Sequence, residues 1–417
     1  MSDVSHIKRH VLPRVLEALD DTRIVAIQGA RQVGKTTLIR EIIERRGGRL
    51  VSFDDEQTLA LAKADPLGFL QHDDQLLAID EIQLAPEMVL ALKYTVDRDT
   101  RPGRFLVTGS ADLLRLPAAQ DSLAGRIESV ELHGFSQGEL THYAETFIDR
   151  LFAGDRFAGH ASRLTRRDYL ERAVAGGYPE AVSRPAGRRR AAWLSGYLNG
   201  IVKRDAREIS GMQRVDQLPL ILRVLAARNS EELNLADVAT STEIPATSLR
   251  RLIELLETMY LIQQIPAWST NFTKRAVSRP KVSLLDTGLA AWLLNVSAEG
   301  AGPDAYSEVA GPMLEGFVAS ELRKQRAWAE ETVRISHFRD RAAGEVDLIL
   351  ETPDGRVAGI EVKSNSRIGR NDARWLAQLR DKLGKRFVAG LVLHTGQTAG
   401  PFGERISAVP LDVLWTS

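Results

Sequence analysis

Residues 23–46 read RIVAIQGARQVGKTTLIREIIERR, and this stretch decides what kind of chain this is. Ile24 to Ile27 is an unbroken apolar run, the composition of a strand buried on both faces. Gly29 and Gly34 then bracket a loop that ends in Lys35 and Thr36, and a helix-forming segment follows at once. The spacing GxxxxGK[ST] between strand and helix is that of a phosphate cradle. The two glycines let the backbone curl so that its N–H groups face phosphate oxygens, and the helix start adds the positive end of its dipole. Lys35 is placed for the β- and γ-phosphates of ATP and Thr36 for Mg²⁺, with Thr37 beside them in the nucleotide-binding set.

Binding alone does not hydrolyse. "QLLAIDEIQ" supplies a second buried strand ending in Asp80 and Glu81. Asp80 would hold Mg²⁺ through water, and Glu81 would orient and polarise the attacking water. "RFLVTGSADLL" is a third strand, ending in Thr108-Gly109-Ser110, where Ser110 can touch the γ-phosphate or the water. "SLAGRIESVEL" sets Arg126 just before a fourth strand, suited to an arginine finger on a neighbouring subunit's nucleotide or to a structural ion pair.

The bulk properties bound the rest. A chain of 417 residues exceeds one ordinary core and implies several domains. No apolar run approaches bilayer length, the N-terminus carries charge without an apolar core behind it, and there is no cysteine. These features predict a cytoplasmic protein with no membrane segment, disulfide framework or thiolate metal site. Basic and acidic residues number 55 each, so nucleic-acid contact would need local basic patches.

The order of cradle, "IDE", "TGS" and "GR" resembles the AAA-type ATPases. More narrowly, the chain is similar to a prokaryotic AAA family that begins with "GARQVGKTTL" and ends in a restriction-endonuclease-like domain usually described as of unknown function. Further landmarks are "FDDE" at Phe53, "GGYPEAV" at Gly176, "VKRDAREI" around Asp205 and "RPKVSLLDTGLAAWLL" from Arg279. The resemblance implies ATP hydrolysis and a homo-oligomer.

After Leu132 the apolar spacing turns to three and four, predicting a helical lid behind the nucleotide, with Arg188 to Arg190 as a solvated basic loop. Leu218 to Trp268 reads helix, helix, helix, strand, and "RPKVSLLD" returns as a partner strand. That is the winged-helix plan. Its third helix mixes Arg250 and Arg251 with Glu254 and Glu257, so phosphate contact is expected from Lys274, Arg275, Arg279 and Lys281 in the wing. A winged helix used for protein contacts is the alternative.

The segment 343–365, AGEVDLILETPDGRVAGIEVKSN, places two apolar runs around Pro353-Asp354-Gly355. A three-residue turn with Gly355 left-handed pairs Thr352 with Arg356 and brings Asp347 opposite Glu361, with Lys363 on the same face. Facing carboxylates repel, and a divalent cation between them, Mg²⁺ or Mn²⁺, removes the cost. The Asp…Glu-x-Lys spacing resembles the restriction-endonuclease and junction-resolvase superfamily, in which a preceding helix adds another acid; Glu315 is the candidate here. Asp347, Glu361 and Glu315 would hold the metal and Lys363 would assist the chemistry. A surface salt-bridge cluster, or a nuclease fold kept only for binding, are the competing explanations.

The expectation is thus an α/β protein in three parts: a P-loop AAA-type parallel-sheet core with helical lid (1–210), a winged helix (211–285) and a C-terminal PD-(D/E)xK nuclease-like α/β domain (286–417). Its function would be ATP-dependent action on DNA, with turnover gating DNA binding or metal-dependent cleavage. The alternative is an ATP-driven switch for protein partners that carries a silent nuclease fold.

Overall fold

The computed structural model describes residues 7–112, 123–200, 206–207, 215–300, 307–340 and 344–417; Asp205 lies outside them. The apolar runs become a five-stranded sheet of β1 Ile24–Gln28, β2 Arg49–Ser52, β3 Leu77–Asp80, β4 Phe105–Gly109 and β5 Ile127–Glu131, ordered β2-β3-β4-β1-β5. Every pair is parallel. Alternate residues serve opposite faces. Val25, Ile27, Ala78 and Leu106 pack with Val15, Leu38 and Ile39 from the helices Leu12–Asp21 and Lys35–Arg46. Ile24, Ala26, Ile79 and Val107 pack with Met88, Leu92 and Val96 of the helix Glu87–Arg98. Because all the strands run parallel, their C-terminal ends share one edge of the sheet. Gly29, Glu81 and Ser110, each just past a strand, therefore gather there.

In the region expected to form the lid lie the helices Arg166–Ala175, Pro179–Val182 and Arg188–Gly200. Arg188 to Arg190 open the last helix instead of forming a loop, and the Arg190 guanidinium donates to the carbonyls of Ala181 and Arg184. The helix Thr287–Leu293 packs on Arg166–Ala175, where the Thr287 hydroxyl donates to the Ala173 carbonyl at 2.6 Å.

In the middle, the helices Leu218–Ala227, Leu235–Thr242 and Ala246–Thr258 accompany β6 Glu231–Glu232, β7 Ile262–Ile265 and β8 Lys281–Leu284. These strands form an antiparallel sheet in the order β6-β8-β7. The short helix Phe272–Val277 fills the β7–β8 connection.

The C-terminal sheet contains β9 Arg334–Asp340, β10 Gly344–Glu351, β11 Val357–Lys363, β12 Phe387–His394, β13 Gly400–Gly403 and β14 Ile406–Pro410, ordered β13-β14-β12-β11-β10-β9. Leu348, Leu350 and Ile360 meet Leu314, Phe317 and Val318 of the helix Ser307–Gln325. Ile349 and Val357 meet Leu376 and Leu379 of the helix Arg374–Leu383 on the other face. The middle and C-terminal units are joined backbone to backbone: Trp268 N–H donates to the His337 carbonyl at 2.6 Å and His337 N–H to the Pro266 carbonyl at 2.9 Å.

Candidate nucleotide site and acid cluster

The cradle between β1 and the helix Lys35–Arg46 needs its glycines for different reasons. A Cβ on Gly29 would run into the Leu132 carbonyl, whereas Gly34 has φ +99°, a conformation most side chains disfavour. The Lys35 ammonium is buried and donates to the Gly29 and Ala30 carbonyls at 2.9 and 3.0 Å, curled over the cradle where phosphates would compete for it. The N-terminal segment braces the same loop. Arg9 donates to the Val33 carbonyl at 2.7 Å and the His133 carbonyl at 2.6 Å, and is held by Glu139 at 3.1 Å.

Behind the cradle the Thr36 hydroxyl donates to Asp80 Oδ2 at 2.7 Å. Thr108 donates to the other oxygen, Oδ1, and its Oγ1 accepts the Glu81 N–H at 3.2 Å. A hydroxyl and a carboxylate in contact at the cradle's rear are the donor set Mg²⁺ takes with phosphates and water, so Thr36 and Asp80 fit the ion. Glu81 adopts φ +57° and bonds Gln83, whose amide also donates to Ser110 at 3.0 Å. Thus Glu81, Gln83 and Ser110 form one polar row past the strand ends. Lid residues close the cleft, which measures about 560 Å³: Pro179, Glu180, Arg184 and Trp193 line it opposite Lys35, Thr36 and Thr37. Gln83, Arg9, Arg184 and Trp193 were not singled out by motif reading. Thr108 lay in the quoted Thr108-Gly109-Ser110 and Pro179 and Glu180 in the Gly176–Val182 landmark, without individual roles.

Arg126 stands at the opposite edge of the sheet. Its carbonyl accepts from Ile24 N–H at the start of β1, and its guanidinium forks onto Asp97 at 2.6 and 3.0 Å. It cannot reach the nucleotide of its own chain.

The hairpin has the register counted from the turn. Thr352 N–H donates to the Arg356 carbonyl at 3.0 Å, Gly355 has φ +87°, and β10 pairs with β11 from Glu351↔Val357 to Leu348↔Ile360. One step further lie Asp347 and Glu361. A β-bulge between Val346 and Ile349 interrupts the β9 pairing beside Asp347, and an Asp347 oxygen accepts the Val362 N–H at 2.8 Å. Lys363 donates to Glu361 at 3.1 Å. Burial and the nearby Asp347 charge push the Glu361 carboxyl far above the ordinary range; the same causes raise Glu315.

Motif reading assigned one member elsewhere. Lys281, expected to grip phosphate from the wing, is only 2% exposed and faces the acids: its ammonium lies 2.7 Å from Glu315, 2.6 Å from Glu345 and 3.8 Å from Asp347. Arg275 is also engaged, forking onto Glu351 at 2.5 and 3.0 Å, while Lys274 and Arg279 are exposed. The reason is the backbone junction at His337, which lays the β7–β8 pair against the C-terminal sheet instead of solvent. Among the described residues no trio of His, Asp or Glu side chains is arranged to hold a metal as it stands. Yet Glu361 Oε1, in a side chain 4% exposed, accepts no hydrogen bond among them and sits beside the Asp347 carboxyl, an arrangement that a cation between the two would suit.

Comparison with known proteins agrees with the first site. Residues 21–141 match the family model described as AAA domain. With the cradle and strand order, residues 21–141 are therefore similar to an AAA domain built on a P-loop parallel sheet. Residues 166–300 and 310–414 match two models described as domains of unknown function, DUF8612 and DUF4143. Over 98% of its length the chain is 28% identical to Uncharacterized protein Rv2008c of Mycobacterium tuberculosis, covering 85% of that protein. Over 82% it is 22% identical to Uncharacterized protein MJ1544 of Methanocaldococcus jannaschii, covering 76% of it. Among solved structures it is similar to the Walker-type ATPase PABY2304 of Pyrococcus abyssi, with 16% identity, 70% of this chain and 99% of that one covered, and TM-score 0.42. No helix among the described residues is long and apolar enough to cross a membrane.

Proposed function

We propose that the protein is an ATP-hydrolysing AAA-type machine acting on DNA, whose ATP cycle gates DNA binding or metal-dependent phosphodiester cleavage in the C-terminal unit. The observation that carries the ATPase part is the row Thr36–Asp80–Thr108–Glu81–Gln83–Ser110 at the strand ends. Lys35 would leave its carbonyls for the β- and γ-phosphates. Glu81 would take the proton of a water attacking the γ-phosphorus while the bond to the bridging oxygen breaks, giving ADP and phosphate. Mg²⁺ held by Thr36 and Asp80 would supply charge neutralisation. Arg126, out of reach in its own chain, is assigned to a neighbour's nucleotide in a homo-oligomer.

The DNA part rests on the gathering of Glu315, Asp347, Glu361 and Lys363 at one sheet position, with Glu361 short of a partner. A divalent metal there would act as Lewis acid and source of activated water, and Lys363 would stabilise charge developing on the phosphate. The three-helix, three-stranded middle unit supports a winged-helix reading, with DNA contact left to exposed residues such as Arg250, Arg251, Lys274 and Arg279. Burial of Lys281 among the acids favours a second reading, an ATP-driven switch for protein partners with a silent nuclease fold.

The test is incubation with labelled linear, circular and branched DNA, with Mg²⁺ or Mn²⁺, with and without ATP, beside Asp347→Ala and Lys35→Ala. Cutting that disappears with Asp347→Ala supports cleavage, and Lys35→Ala then reveals ATP control. No cutting by a protein with intact ATPase activity selects the switch.

A further inference from the structure

We propose that the Lys281 ammonium is the resident cation of the Glu315–Asp347–Glu361 cluster, and that a divalent metal enters only when β8 withdraws it. The inference rests on reading the cluster as a metal site, and adds how that site is held shut.

A lysine on a three-stranded sheet ordinarily reaches solvent, because desolvating an ammonium is costly. Lys281 instead turns inward to 2% exposure and has three carboxylates within 4 Å. Two of them are candidate metal ligands, Asp347 from the hairpin and Glu315 from the helix Ser307–Gln325. The four carboxyls of the cluster are not all ionised, because burial and the nearby Asp347 charge hold Glu315 and Glu361 toward neutrality. The carboxyls at Glu315, Glu345, Asp347 and Glu361 share Lys281 and Lys363, with Arg339 reaching only Glu345, at 3.8 Å. Glu361 Oε1 is buried and accepts no hydrogen bond among the described residues, with the Asp347 carboxyl beside it, while its twin oxygen takes Lys363. A 2+ ion in place of one ammonium would let these carboxyls ionise and would give Oε1 a ligand.

The plug is borne by a different unit from the acids, so it can be pulled. The strand that carries Lys281 pairs with β7, and β7 follows Tyr260, whose hydroxyl donates to Gln28 Oε1 at 2.9 Å, one residue before the phosphate cradle. A rearrangement of the cradle on nucleotide binding can therefore pass through this hydrogen bond and the chain of about twenty residues from Tyr260 to Lys281.

The experiment measures Mn²⁺ binding to the full-length, nucleotide-free protein by electron paramagnetic resonance of free Mn²⁺. It compares wild type, Lys281→Met and Lys281→Met/Glu361→Gln. Lys281→Met should gain a site at least about 100-fold tighter than wild type shows, corresponding to about 2.7 kcal/mol, and the double variant should lose it. If wild type already binds Mn²⁺ as tightly through Glu361, the plug is refuted while the metal reading stands. If no variant gains a Glu361-dependent site, the metal reading falls and the plug with it. Should Lys281→Met be unstable in chelator, Mn²⁺ must raise its unfolding temperature and must not do so in the double variant; no rise overturns the proposal.

Discussion

Thr108→Val removes one oxygen and keeps the shape of the side chain, and two elements of the ATPase site depend on that oxygen. Thr108 is fully buried, donates to Asp80 and accepts the Glu81 N–H at 3.2 Å. Valine would orphan that N–H, costing about 1–3 kcal/mol, and would strip Asp80 of one charged hydrogen bond worth about 1.5–3 kcal/mol. Together these lower stability by roughly 3–5 kcal/mol, unless water enters to satisfy one group. Catalysis should suffer separately. Glu81 sits at φ +57° and is steadied through the lost bond; a drift of about 1 Å in its carboxylate would cost about 100-fold in kcat. ATP affinity should change less than about threefold, because the cradle backbone and Lys35 are untouched. Phosphate release and calorimetry measure the two effects, and Thr108→Ser, which keeps the hydroxyl, should recover most of both. A Thr108→Val protein with kcat and unfolding temperature near wild type would show that the bond seen here does not organise Asp80 and Glu81.

Further outcomes follow from other contacts. If Arg126 acts on a neighbour's nucleotide, specific ATPase activity should rise with protein concentration and flatten in Arg126→Ala; strict proportionality down to nanomolar protein refutes the role. Trp193 stacks on Tyr197 with centroids 5.1 Å apart and lines the nucleotide cleft, so ATP should change a fluorescence component absent from Trp193→Phe, and Trp193→Ala should weaken ATP binding about tenfold if it meets the base. Arg275→Ala breaks a nearly buried fork onto Glu351, which retains Arg386 at 3.2 Å; a loss of about 2–3 kcal/mol is expected, with no change in the salt dependence of DNA binding, whereas Arg279→Ala should reduce any such slope by about 1. Asp412 is buried, which opposes its charge, but hydrogen bonds from His160 and Ser162 hold its pKa below the ordinary carboxyl value. Its folded pKa being depressed, this stabilisation is fully present above about pH 4 and is lost as pH falls through the native value. Asp412→Asn should therefore flatten the acid limb of a stability–pH curve below about pH 4, and an unchanged limb would count against it.

What could be read from sequence was local in the chain. The cradle needs strand, loop and helix in one short stretch, and the apolar runs before Asp80 and Ser110 identify themselves by composition. The hairpin register followed from a single turn, because a period of two leaves no freedom once Thr352 and Arg356 are paired. Contacts set by packing were not legible. Arg9 and Val33 meet through the fold, not the chain, and Trp193 reaches the cleft only after the Gly176–Val182 segment has turned the lid. Lys281 was misread for a related reason: a lysine among basic neighbours resembles a phosphate contact until the C-terminal unit is seen to cover β8.

Lys281 also bears on how such a chain can be divided and inherited. The matched family boundaries, 166–300 and 310–414, place the lysine in one segment and Glu315, Glu345 and Asp347 in the next. A C-terminal segment transferred alone to another protein would carry buried acids without their counter-charge, and would need a metal, a new lysine or lost acids to remain folded. Lys281 and the acids facing it thus tie the two matched segments together electrostatically, and a segment that travels alone must change at one of these positions or take up an ion.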